Sequence, residues 1–144
     1  MISRTAILFM TVNMALTQTI RKPDSDCDFI YTVDPAKAVA IDNPYWPLVY
    51  RQGQTCRWTF RCISGYLCHL KCHYVSIPWT NNCAGDKLLV SRLGSMQLVA
   101  ADVYCSQTII DSKSINQRIT MGLLSTSTSP GGRFRCTISA EPAM

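Results

Sequence analysis

Hydrophobic and polar positions alternate at a period of two in several short stretches of the chain, the pattern of β-strands with one dry and one wet face. Cys56, Trp58, Phe60 and Cys62 share one parity, and Arg57, Thr59 and Arg61 share the other. After the Ser64-Gly65 turn, Cys68, Leu70, Cys72 and Tyr74 point one way while His69, Lys71 and His73 point the other. The two stretches therefore read as a hairpin of neighbouring strands. Further strands are predicted at 87–91, 97–104, 114–123 and 133–138, separated by loops at 92–95, 107–112 and 125–132. Residues 36–41 are mildly apolar and suit an edge strand, whereas 21–34 is polar and acidic around Cys27. Pro35, Pro44 and Pro47 keep a helix out of the turn-rich connector at 43–53, because proline lacks the amide donor and drives the preceding residue toward extended backbone. Short strands at this spacing predict an all-β fold, an antiparallel two-sheet sandwich.

The amino terminus has a different composition. Arg4 precedes an apolar run from Ala6 to Ala15, interrupted by Asn13, and small or polar residues Ala15, Thr17 and Thr19 follow. This is the layout of a secretory signal peptide, expected over residues 1–19 with cleavage between Thr17 and Ile20. A membrane-spanning helix needs about 20 predominantly apolar residues; this run is shorter and contains an amide, so no transmembrane segment is expected. The remainder, 20–144, suits one domain with its core at about 27–140. All eight cysteines lie in that remainder. In a secreted, extracellular chain an even number predicts four disulfides, a stapled framework, whereas Cys-x-x-Cys knuckles that would announce zinc are missing.

The order of certain residues carries a resemblance. They are Pro44, Trp46-Pro47, Tyr50, Gly53, Cys56-Arg57-Trp58-Thr59-Phe60, Gly65-Tyr66, Cys72 and Ile77-Pro78, followed by the Cys83 to Ser91 run, Tyr104-Cys105 and the Gly131 to Cys136 run. Together they cover nearly the whole mature chain, which resembles a CUB domain of the type found in insect trypsin-like serine proteases and in small secreted insect proteins, some of them venom components. The resemblance implies a jelly-roll-like sandwich of two antiparallel sheets and a role in protein or glycan recognition. It also implies the pairs Cys27–Cys56 and Cys83–Cys105, and it suggests Cys72–Cys136, both at core parity. Cys62 and Cys68 are then left to face each other across the predicted hairpin turn.

Catalytic chemistry finds no support in the residues. A serine-protease triad needs a histidine, a buried carboxylate and a serine together, yet His69 and His73 are the only histidines and sit on one predicted strand. Four residues apart on a strand they stand about 13 Å from each other, too far to share a metal ion, and are expected to be exposed. No catalytic residue, cofactor or metal is therefore assigned. Many CUB domains bind calcium through a glutamate and two aspartates; Asp86 matches one of the aspartates and is the single weak calcium candidate. Pro78 stands where the glutamate is expected and serines and threonines fill 123–130, so calcium is not expected.

The formal charge of +5 is unevenly placed. Arg57 and Arg61 share a predicted face with His69, Lys71 and His73 of the neighbouring strand, and Arg133 and Arg135 would extend it, a candidate binding face for anionic glycans or acidic proteins. Nucleic acid is not expected, for want of stacking aromatics on that face in a secreted chain. Trp46 and Trp79 are candidate loop anchors. The sequence thus reads as a secreted, non-catalytic module that binds an extracellular protein or glycan. Two other readings stand beside it: the recognition part of a secreted trypsin-like protease whose catalytic domain is missing, and, ranked last, a membrane-active toxin.

Overall fold

The computed structural model describes residues 22–143, so the expected leader at 1–19 lies outside the described residues. Nine strands are found among them: β1 (Asp28–Val33), β2 (Val39–Asp42), β3 (Thr55–Cys62), β4 (Tyr66–Ile77), β5 (Lys87–Ser91), β6 (Asp102–Tyr104), β7 (Ser106–Lys113), β8 (Arg118–Leu124) and β9 (Arg133–Pro142). A five-stranded sheet, β1-β3-β8-β5-β6, is stacked on a four-stranded sheet, β2-β9-β4-β7. The alternation read from the sequence fills the space between them: Trp58, Phe60, Leu88, Val90, Ile119, Met121 and Leu123 from one sheet meet Leu70, Val75, Ile110, Phe134 and Ile138 from the other. Trp58 and Phe134 touch edge to face across the layers, ring centroids 5.7 Å apart, an arrangement that matches ring edges to ring faces.

The sandwich is all-β as expected, but one pairing is parallel: β1 runs alongside β3 in the same direction, Phe29 opposite Trp58 and Tyr31 opposite Phe60. β1 lies in the stretch read as merely polar and acidic, because its outward residues include Asp28 and Thr32 and hide the Phe29, Tyr31, Val33 alternation. β7 likewise replaces the loop expected at 107–112; as an edge strand it needs only Ile110 and Ser112 buried, and its apolar signal is weak. β6 is shorter than the strand expected at 97–104, since Leu98 and Ala100 take positive φ values that extended backbone cannot accommodate.

The predicted hairpin does not form. β3 and β4 belong to different sheets, and residues 63–65 carry the chain from one layer to the other. Gly65, at φ +89°, makes the reversal. The Cys62–Cys68 bridge therefore ties the two sheets together rather than closing a turn within one. The other bridges are Cys27–Cys56 beside β1, Cys72–Cys136 between directly paired residues of β4 and β9, and Cys83–Cys105 flanking β5 and β6.

A bulge interrupts β4. Cys72 faces Cys136 and Tyr74 faces Arg135, so His73 is the extra residue and the side-chain parity reverses beyond it. Val75 and Ile77 turn into the core, and Tyr74, expected to point inward, is exposed on the outer face of the four-stranded sheet.

Candidate functional site

Asn43 sets the position of the site's first side chain. It is buried; its Oδ1 accepts from Phe134 N at 3.0 Å, its Nδ2 donates to Pro44 O at 2.7 Å and Leu48 O at 3.0 Å, and its own N–H donates to Phe134 O at 3.2 Å. These bonds pin the 43–49 connector to the start of β9 and carry Trp46 onto the outer face of the four-stranded sheet. There Trp46 meets Tyr74 edge to face, with ring centroids 5.9 Å apart. The Arg135 guanidinium lies 5.2 Å from the Trp46 centroid and that of Arg133 lies 6.0 Å from the Tyr74 centroid. Arg135 Nε also pairs with Asp42 Oδ1 at 3.0 Å, and Arg133 Nη1 donates to Pro47 O at 3.5 Å.

Each cation–ring contact contributes about 0.5–1 kcal/mol at an exposed site, so the larger effect is orientation. Two permanently charged, planar groups are held in place by rings, and each keeps most of its N–H donors for a ligand. Lys71, exposed on β4, and His73, exposed at the bulge, stand on the same side. The other expected members of this face are elsewhere. Arg57 and Arg61 lie on the five-stranded sheet, Arg57 forked onto Asp28 at 2.7 and 3.0 Å and donating to Met96 O at 2.8 Å. That last bond holds the segment between β5 and β6 across the outer face of the five-stranded sheet. Leu98 is buried there, and Thr59 and Thr120, which face outward, have no exposure. Among the described residues one outer face is thus covered, and the other carries the cluster of Arg133, Arg135, Tyr74 and Trp46. Trp79 is 71% exposed and makes no ring contact among the described residues. Tyr74, which sequence parity places inward, joins this face only because the bulge turns it out.

Behind this face, at the end of the sandwich, Asp86 is buried and fully engaged. Its Oδ2 accepts from Tyr50 Oη at 2.6 Å and from Ser129 Oγ, and its Oδ1 accepts from Thr126 N at 2.8 Å. Burial, then the Asp86 bond, raises the Tyr50 pKa well beyond the ordinary phenol range, so the hydroxyl remains a donor. Gly131 and Gly132 make the contact sterically feasible: a Cβ on Gly131, at φ +89°, would stand 2.6 Å from Val49 Cγ2, and one on Gly132 would stand 2.6 Å from Ser76 O and 2.9 Å from Tyr50 Oη.

The profile of the CUB domain family matches residues 22–137. The chain belongs to the CUB domain family. Among solved structures it is similar to the full extracellular region of zebrafish Gpr126/Adgrg6, with a TM-score of 0.67 and 16% identity over 81% of this chain and 15% of that one. It is similar also to the CUB1-EGF-CUB2 domains of rat MASP-1, with a TM-score of 0.66 and 13% identity over 81% of this chain and 44% of that one. The MASP-1 CUB2 domain bound to Ca2+ aligns with a TM-score of 0.59 and 17% identity over 81% of this chain and 99% of that one. At these identities the likeness is one of fold, and the chain spans less than half of the first two relatives. No curated protein matches the sequence. CUB domains are typically extracellular protein-binding modules and generally lack catalytic activity. No helix among the described residues is long and apolar enough to cross a membrane.

The residues of this CUB domain do not fit a calcium ion. The Asp86 carboxylate already accepts three hydrogen bonds from the chain, and no cluster of three histidine, cysteine or acidic side chains able to hold a metal exists among the described residues. Calcium requires six to eight oxygens, several of them carboxylate.

His69 departs from the expectation of an exposed histidine, being only 5% exposed. Asp111 from β7 and Glu141 from β9 close over it, with Nε2 2.5 Å from Asp111 Oδ1, Nδ1 2.6 Å from Glu141 Oε1, and Lys113 Nζ 2.9 Å from Glu141 Oε2. The clamp sets two carboxylates beside Lys113 at this end of the CUB domain's outer face, apart from Arg133 and Arg135. Asp111 is held below the ordinary carboxylate range chiefly by its bond to His69, and Glu141 by its bonds to Lys113 and then His69. A carboxyl whose folded pKa is depressed stabilises the fold above its unfolded value, and that stabilisation is lost as pH falls through the folded value. Stability is therefore expected to decline as pH drops below about 4, and an Asp111→Asn, Glu141→Gln variant should show a shallower decline in urea midpoints. An acid-side slope equal to the parent's would contradict the clamp.

Proposed function

We propose that this chain is a secreted CUB module of the insect type that binds an anionic extracellular ligand, an acidic protein surface or a sulfated glycan, and performs no catalysis. The observation that carries the reading is the interleaving of Arg133 and Arg135 with Tyr74 and Trp46 on the outer face of the four-stranded sheet. Arginine and large aromatics are the side chains that dominate interface energetics. Guanidinium forks match carboxylate and sulfate oxygens in geometry as well as charge. The net charge of +5 adds long-range attraction for such partners. The apolar run at Ala6 to Ala15 supports export, and the four disulfides suit an oxidising compartment.

Expression of the whole chain in eukaryotic cells tests both parts. The protein is expected in the medium with an amino terminus between Thr17 and Ile20, retained on a sulfated polysaccharide resin and released by salt, but not retained on the neutral polysaccharide. Retention inside the cell, or flow-through on both resins, would contradict the proposal.

A further inference from the structure

The sandwich is open along one edge, where β1 of one sheet and β2 of the other both end their sheets. Between them lies a cavity of about 290 Å³, at the small end of ligand pockets and suited to one side chain rather than a cofactor. Its wall is aromatic. Trp58, Phe29 and Tyr31 form a stacked run with centroid spacings of 6.1 and 6.2 Å, and Tyr45 stands at the rim. Asp26, Asp42 and Gln54 supply the polar lining, and no basic residue contributes. That segregation is notable in a chain of charge +5. Asp26 is exposed and its carboxylate has no partner among the described residues; Asp42 uses Oδ1 for Arg135. The rim already shows the mode of recognition, because the Arg51 guanidinium sits 4.4 Å from the Tyr45 ring centroid.

We infer that this cleft binds the side chain of a lysine or arginine presented by a partner protein. The aliphatic stem lies against the Phe29 and Tyr31 rings, and the cationic head is attracted to ring faces and to Asp26 together. A neutral apolar group gains only the stem contacts, and an anion is repelled by the Asp26 carboxylate. The inference does not depend on the arginine-bearing face, which selects the opposite charge.

The test is an amide-shift titration of the isotopically labelled secreted protein with N-acetyl-lysine methylamide, compared with N-acetyl-norleucine methylamide, which lacks the ammonium. The lysine probe is expected to move the signals of Phe29, Tyr31, Tyr45 and Gln54, to bind about tenfold more tightly than the norleucine probe, and to lose about fivefold in the Asp26→Asn variant. The Asp26 side chain makes no bond among the described residues, so that variant keeps the fold and its dispersed spectrum. Equal affinity for the two probes, shifts mapping elsewhere, no shifts at all, or an unaltered affinity in Asp26→Asn would each overturn the inference.

Discussion

Replacing Asp86 with alanine is expected to lower the unfolding free energy by about 3–5 kcal/mol. The substitution removes one acceptor from three donors, and two of those, the Tyr50 hydroxyl and the Thr126 amide, then face a site with little access to water. A buried donor left without its partner costs about 1–3 kcal/mol, which is why the total exceeds a single hydrogen bond. Tyr50→Phe keeps the ring and removes only one bond to a charged acceptor, so its expected cost is smaller, about 1.5–3 kcal/mol. Urea unfolding should show both as shifts in midpoint at constant slope. Millimolar calcium should leave the wild-type midpoint where it is, because the carboxylate is committed to the chain. A loss below about 1 kcal/mol for Asp86→Ala would mean that the loop is held by something else.

Converting Cys72 and Cys136 to alanine is the second large effect, expected at about 4 kcal/mol on the chain-entropy account. The bridge joins residues separated by 64 positions, whereas Cys62 and Cys68 are separated by 6, for which the same account gives about 2 kcal/mol. Position adds to the difference. Cys72 precedes the bulge that exposes Tyr74, and Cys136 follows Arg135, so the longer bridge also fixes the two strands that carry the arginines and their rings. The pair without the Cys72–Cys136 bridge should therefore lose ligand retention as well as stability. A Cys62, Cys68 variant that proved the less stable of the two would contradict this ranking.

The strands most legible in the sequence were those whose alternation is chemically sharp. β3 sets Cys56, Trp58, Phe60 and Cys62 against arginines, and β5 at Lys87–Ser91 has the bounds that the pattern predicts. Parity shows which side of a strand is dry, but it carries no information about which sheet the strand joins. For that reason β3 and β4 read as a hairpin, and two groups of basic residues on opposite faces of the sandwich read as one. The bulge had the same consequence on a smaller scale: one extra residue at His73 reverses every side chain that follows, and nothing in the local composition marks it. The burial of His69 is not legible locally, because its partners, Asp111 and Glu141, are 42 and 72 residues away. Trp46 could be singled out as a large aromatic in a loop, but its packing on Tyr74 and Arg135 depends on the buried Asn43.

The most direct test compares two charge-matched variants of the protein on a sulfated polysaccharide resin. Arg133→Ala, Arg135→Ala removes two positive charges from the outer face of the four-stranded sheet. Arg61→Ala, Arg118→Ala removes two from directly paired, exposed residues of the other sheet. The first pair is expected to elute at markedly lower salt than the parent and the second close to it. Equal displacement of both variants would show that net charge alone governs retention, and would contradict a binding face built from Arg133, Arg135, Trp46 and Tyr74.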